Sequence, residues 1–271
     1  MRPRLLLQLV RLEASKLMSY RGDFWITAVA NLGAVLVVNY FLLSSIFATT
    51  GKETIAGYSF PGMLTYLIAV SLIGPVVRGS DLQMGIASEI YDGGLSRYFL
   101  YPTRYLPFKY AQHVGSILPL VVQMAIFTTI LIVTIGLPAD SALSARSILA
   151  ALPALAVANL LYFLLSAPIQ CVAFWADNVW SLGVMLRFAS MFLGGAMLPL
   201  DVFSPAVQEF LRWLPFVACY EFPVLVAMGE ITDPGDYFSR LALGLGWCAL
   251  VAAACRPVWK RGQLGYTGVG I

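Results

Sequence analysis

Residues 111–136 read AQHVGSILPLVVQMAIFTTILIVTIG and contain no Asp, Glu, Lys or Arg. A helix of that length rises about 39 Å, more than the roughly 30 Å of a bilayer's hydrocarbon core. The stretch does not alternate with period two, so it is not a strand of a membrane barrel. Working outward, comparable apolar stretches lie at residues 25–47, 61–78, 147–174, 179–198 and 237–259. The chain thus reads as six transmembrane helices, all-α, in one membrane domain over residues 1–271. No fixed-period repeat and no Gly/Ser-rich or Pro-rich linker divides it. Composition agrees. Of 271 residues, 59% are hydrophobic and 11% charged, against roughly 25% charged in soluble domains. Mean hydropathy is +0.80. So few polar side chains cannot coat a soluble enzyme, and so many apolar ones exclude disorder. The first span begins too late and runs too long for a signal peptide.

The charges give the chain sides. Arg2, Arg4, Arg11, Lys16 and Arg21 precede the first span. Arg78, Arg97, Arg104 and Lys109 border the loop after the second, and Arg256, Lys260 and Arg261 follow the last. The alternate segments hold only Lys52, Arg146, Arg212 and Arg240. The positive-inside rule then predicts cytoplasmic termini, with residues 95 and 177 on the same side and residues 55, 140 and 210 outside.

Two segments do not fit a simple span-and-loop chain. Residues 1–22 predict an interfacial amphipathic helix. Arg4, Gln8, Arg11, Ser15 and Ser19 share a narrow face at 100° per residue, and leucines and Val10 fill most of the rest. Glu13 falls on the apolar side. It either pairs with Lys16 or Arg11, or meets another protein surface. Residues 200–236 lie outside, yet Phe216–Gly229 is too short to span and too apolar for water. Ser204 and Pro205 suit the start of a short helix ended near Pro215. The segment reads as a re-entrant helical hairpin before the last span, shielded by protein.

Several stretches carry a resemblance. The loop at residues 85–108, GIASEIYDGGLSRYFLYPTRYLPF, contains Glu89-Ile90 followed by Gly93-Gly94-Leu95. Phe174-Trp175 stands at a tight turn, LGGAMLP at 193–199 and Leu214-Pro215-Phe216 in the hairpin, with Tyr20-Arg21 before the first span. In this order they resemble type-2 ABC transporter permeases, the bacterial exporter subunits of six helices. The resemblance covers nearly the whole chain. It implies that residues 85–108 couple to a separate ATPase and that the hairpin closes the exit. It further implies that a second permease chain, identical or different, completes the unit, with spans two and five facing it, in the bacterial inner membrane. ATP and Mg²⁺ would sit on the partner ATPase. This chain has no G-x-x-x-x-G-K-[ST] phosphate loop. No cofactor, metal site or nucleic-acid partner is expected of it.

The site residues follow. Glu89, Asp92, Gly93, Gly94, Leu95, Arg97, Tyr98 and Phe99 form the expected ATPase-coupling segment. Glu89 and Asp92, three apart, share a helix face. Without a pocket they read as docking or solvated charges, not an acid/base pair. Arg187 lies within the fifth span. There it either lines a substrate path or is held structurally, by pairing or snorkelling. Glu221 in the hairpin carries the same two readings. His113 stands alone and cannot make a metal site. Cys171, Cys219, Cys248 and Cys255 lack C-x-x-C spacing. The expected function is the permease of an ATP-driven exporter, moving an amphipathic or lipid-like cargo by alternating access. The alternative is a membrane anchor or assembly scaffold without a cargo of its own.

Overall fold

The computed structural model describes residues 3–79, 85–100, 104–136 and 143–268, with the side chains of residues 3–6, 17 and 135 left out. Arg4's side chain, Pro102 and residue 140 therefore fall outside the described part. Twelve α-helices are described. They are α1 (Pro3–Ser19), α2 (Arg21–Thr50), α3 (Phe60–Arg78), α4 (Gly85–Tyr91), α5 (Ser96–Phe99), α6 (Tyr105–Ile135), α7 (Ala145–Cys171), α8 (Trp180–Leu193), α9 (Pro205–Arg212), α10 (Pro215–Cys219), α11 (Glu221–Met228) and α12 (Pro234–Gly265). A two-residue hairpin, β1 (Thr54–Ile55) and β2 (Tyr58–Ser59), joins α2 to α3.

Five helices are long and apolar enough to cross a membrane: α2, α3, α6, α7 and α12. α8, where the fifth of six spans was expected, has only 14 residues. It stops at Leu193 because the Gly194-Gly195 pair follows, and Gly195 takes φ +79°, a left-handed conformation that costs other residues dearly. The starts of the other five spans all shift earlier. α2 and α6 begin earlier than their apolar cores, since a helix continues into polar residues as long as its backbone bonds are made. α6 thereby absorbs residues 105–108 of the expected coupling loop.

Local signals explain the starts. Ser59 Oγ accepts from Gly62 N (3.1 Å) and caps α3. Ser144 and Ser147 form a reciprocal capping box on α7. Asp233 caps α12 ahead of Pro234, its carboxylate accepting from Asp236 N (2.9 Å). Ser204 precedes α9 in extended conformation but makes no side-chain cap bond. Pro75, Pro119, Pro153, Pro168 and Pro257 lie inside helices.

α7 is the centre of the fold, packed by α12, α11, α10 and α3. Tyr66, Val77, Ala158, Leu161, Tyr220 and Val224 are among the buried core around it. α3, the second span, is enclosed within the chain: Pro61 alone of its residues is exposed. The most exposed helix surfaces are α2, with one buried residue, Leu43, and one side of α8, where Met185, Phe188 and Phe192 are exposed.

α1 lies along α6. Gly115 permits the approach, since a Cβ there would sit 2.8 Å from Glu13 Cβ and 2.9 Å from Val10 O. Glu13 is 5% exposed. Its Oε1 accepts from Lys16 Nζ (2.8 Å) and from Gln112 Nε2 of α6 (3.0 Å). Both readings of Glu13 are thus met at once: it pairs with Lys16, and the protein surface it meets is its own chain's. Arg11, Gln8, Ser15 and Ser19 stay exposed on the opposite side, flanked by exposed Leu7 and Leu12.

Candidate functional site

Two regions concentrate the polar groups that an apolar chain holds at a cost. The first is the segment from α4 to α5. α4 buries Ile86, Ala87 and Ile90, and Leu95 is fully buried. These residues join Tyr105, Ala167, Cys171, Val179 and Cys255 in one apolar cluster. Glu89 turns towards α6. Its Oε1 accepts from Tyr98 Oη (2.7 Å) and Lys109 Nζ (2.5 Å), and its Oε2 from Tyr105 Oη (2.5 Å). The Lys109 side chain is 6% exposed, so this carboxylate is its counter-charge in a nearly dry setting. The Tyr105 ring stacks on Trp259 of α12, with centroids 4.8 Å apart and planes at 6°. Lys109 Nζ lies 5.2 Å from the Tyr98 ring centroid.

Further bonds fix the same segment. Ile86 N donates to Gln170 Oε1 of α7 (3.0 Å), and Tyr91 Oη donates to Ala176 O in the turn between α7 and α8 (2.9 Å). Burial raises the Tyr91 hydroxyl above the usual phenol range. The segment is therefore clamped to α6, α7 and α12 together.

This divides the eight expected coupling residues. Glu89 and Leu95 face inward, and Tyr98 is half-buried with its hydroxyl on Glu89. Gly93 (φ +70°) and Gly94 make the bend between α4 and α5, and Leu95 N donates to Glu89 O (2.9 Å) across it. Asp92, Arg97 and Phe99 remain outward, with Phe99 49% exposed. Sequence reading missed Leu100, which is 85% exposed beside Phe99. It also missed Lys109 and Tyr105 as the partners that hold Glu89. The i,i+4 spacing of Tyr105 and Lys109 on one helix face was the available signal.

The second region is where α10 and α11 meet the end of α8. Both short helices are largely buried, and Tyr220 joins them. Glu221 N donates to Gly194 O (3.1 Å), and Tyr66 Oη donates to Gly195 O (2.8 Å). A Cβ on Gly194 would lie 2.5 Å from Phe216 O. The Gly-Gly pair is thus the seat of the hairpin, and α3 and α8 hold it from two sides. Arg78 Nη1 donates to Tyr220 Oη (3.3 Å).

Glu221 is 3% exposed and its Oε2 has no hydrogen-bond partner. It lies outside the five long helices. Burial, then the Asp201 carboxylate, push it up to about 7, against the pull of Arg240 and Arg212. Tyr58 Oη bridges Asp201 (3.3 Å) and Glu230 (3.4 Å) nearby. Burial, with these two carboxylates, raises the Tyr58 hydroxyl, and burial raises Glu230 as well. Arg187 is exposed on α8, with no ion-pair partner among the described residues, beside Met185 and Phe188. It does not meet Glu221.

His113 is 4% exposed, its Nε2 3.0 Å from Asn159 Nδ2, which also donates to the carbonyls of Val76 and Val77. The four cysteines are free and buried. No cluster of His, Cys, Asp and Glu suited to a metal occurs among the described residues.

Compared with known proteins, residues 34–270 match the family described as ABC-2 family transporter protein. No curated protein matches.

Proposed function

The chain belongs to the ABC-2 family of transporter proteins, and from that premise we propose that it is the permease of an ATP-driven exporter for an amphipathic or lipid-like cargo. As a multi-pass membrane subunit of such a transporter it is not itself the catalyst. The ATP site belongs to a partner ATPase. In this reading α8 is the fifth of six spans, extended through the Gly-Gly bend to Leu198. The α10–α11 pair is re-entrant, and the termini are cytoplasmic in a bacterial inner membrane. A second permease chain covers the exposed side of α8. A guanidinium at membrane depth needs polar cover, and Arg187 is exposed with no ion-pair partner among the described residues.

The observation that carries the proposal is the α4–α5 segment. It is anchored to α6, α7 and α12 yet leaves Asp92, Arg97, Phe99 and Leu100 outward. An arginine with exposed aromatic and aliphatic neighbours suits a protein-docking surface. A rigid anchor behind it passes a push from the ATPase into three long helices, and the permease pair then alternates between inward and outward access.

The test uses the permease reconstituted with its ATPase. Asp92→Lys/Arg97→Glu/Phe99→Ala should abolish cargo-stimulated ATP hydrolysis and efflux, while the protein still inserts and elutes as wild type. Unchanged stimulation and transport would overturn the coupling role. Absence of any cargo-stimulated hydrolysis in the wild type would favour a scaffold.

A further inference from the structure

The hairpin end of the bundle holds a cavity of about 480 Å³ between the α9–α11 segment and α12. Its size is that of a small-molecule site. Its walls are apolar, from Val217, Phe222 and Leu243, and its rim carries Arg212, Asp236 and Arg240. Arg240 Nε donates to Asp236 Oδ1 (2.9 Å). Arg212 is exposed and has no ion-pair partner among the described residues. Both arginines also act on the buried Glu221 carboxyl.

One exposed aromatic lines the opening, Trp213 (66%). Trp213 is tied down, its carbonyl accepting from Trp247 Nε1 of α12 (2.9 Å). Rings of this kind gather at the headgroup level of a bilayer. The rim arginines stand on the last turn of α9 and in the second turn of α12, and with α12 crossing the bilayer a residue in its second turn lies near the interface.

We propose that this groove binds an anionic phospholipid of the adjacent leaflet. The phosphate sits on Arg212 and Arg240, and one acyl chain lies along Val217, Phe222 and Leu243. Charge selects the headgroup. A second groove, of about 350 Å³ between α2, α3 and α6, has Asp23 and no Lys or Arg among its lining residues. It lacks the groups that would hold a phosphate. The lipid would touch α10, α11 and α12 together, and so brace the hairpin that Gly194 seats. The inference does not depend on which side of the membrane the hairpin faces, nor on the ATPase.

The purified full-length chain, in detergent, would be exposed to phosphatidylglycerol or phosphatidylcholine and retained lipid counted by native mass spectrometry. The wild type should keep phosphatidylglycerol preferentially. Arg212→Gln/Arg240→Gln should lower that retention by roughly fivefold per arginine. Leu243→Trp fills the wall with the charges intact and should also lower it. Should the double variant fail to fold, Arg212→Gln and Leu243→Trp singly carry the test. Glycerol 3-phosphate should not compete; competition equal to that of the lipid would show a site for free phosphate and overturn the lipid assignment. Equal retention of both lipids by the wild type, or unchanged phosphatidylglycerol retention in the variants, would also overturn it.

Discussion

Glu89 is the residue whose surroundings change its meaning most. Three donors converge on it, and Lys109, 6% exposed, has it as counter-charge. Glu89→Gln leaves that ammonium buried and unpaired, which should cost roughly 3 kcal/mol. Lys109→Met should cost about half as much, because two tyrosine hydroxyls still stabilise the carboxylate. The double variant should cost less than the sum. Thermal melting of the purified chain gives the cycle, and strict additivity would show that the pair does not interact. Glu221 is the other residue to test. Its carboxyl is pushed up to about 7 in the folded chain, so the folded state binds the proton more tightly than the unfolded one. That stabilisation is complete below the ordinary carboxylate range and is lost as pH rises through about 7. Asp201 and Glu230 reinforce the sign; Arg212 and Arg240 oppose it. Melting temperature should fall between about pH 5 and about pH 8 more in the wild type than in Glu221→Gln, by up to about 3 kcal/mol in stability. A parallel pH dependence in the two would refute the assignment.

At the scale of elements, the hairpin and the end of α8 form one unit because neither closes alone. α8 ends at the Gly-Gly pair, and α10–α11 has only 5 and 8 residues. Gly194 admits the Phe216 carbonyl at a distance no side chain tolerates. Gly194→Ala should destabilise the chain by about 1–3 kcal/mol through overpacking against backbone. Gly22→Ala, where nothing lies within 4 Å, should change stability by less than about 0.5 kcal/mol. Unfolding of both variants in detergent decides the point; equal stability would mean that the seat is loose. α1 follows the same logic on the other side, where Gly115 lets it lie against α6.

At the scale of the whole molecule, the charge distribution and the structure meet in one test of sidedness. Single cysteines at Arg97 and Asp177 should be shielded from an impermeant thiol reagent in intact cells, and those at Glu53 and Phe210 should react. All four positions are exposed; Leu95 is not, and its buried side chain makes it unsuitable as a reporter. Strong labelling at Arg97 from outside would reverse the chain in the membrane, and with it the coupling proposal.

Apolar length, charge placement and the absence of a phosphate loop were all legible in the sequence, because a span must satisfy its backbone within about 20 residues of itself. So were the amphipathic first helix and the short apolar pair before the last span, which follow from local periodicity and length. What only the tertiary structure decided is direction. Glu89 and Asp92 share a helix face by spacing, yet one is clamped by Lys109, twenty residues on, and the other stays outward. α3 looks as lipid-ready as α2 in sequence, but α2, α6, α7 and α11 pack around it. Leu100 reads as one more leucine until the bend at Gly93-Gly94 leaves it outward. Each of these depends on partners far along the chain, and hydrophobicity, being non-directional, does not say which apolar face meets which.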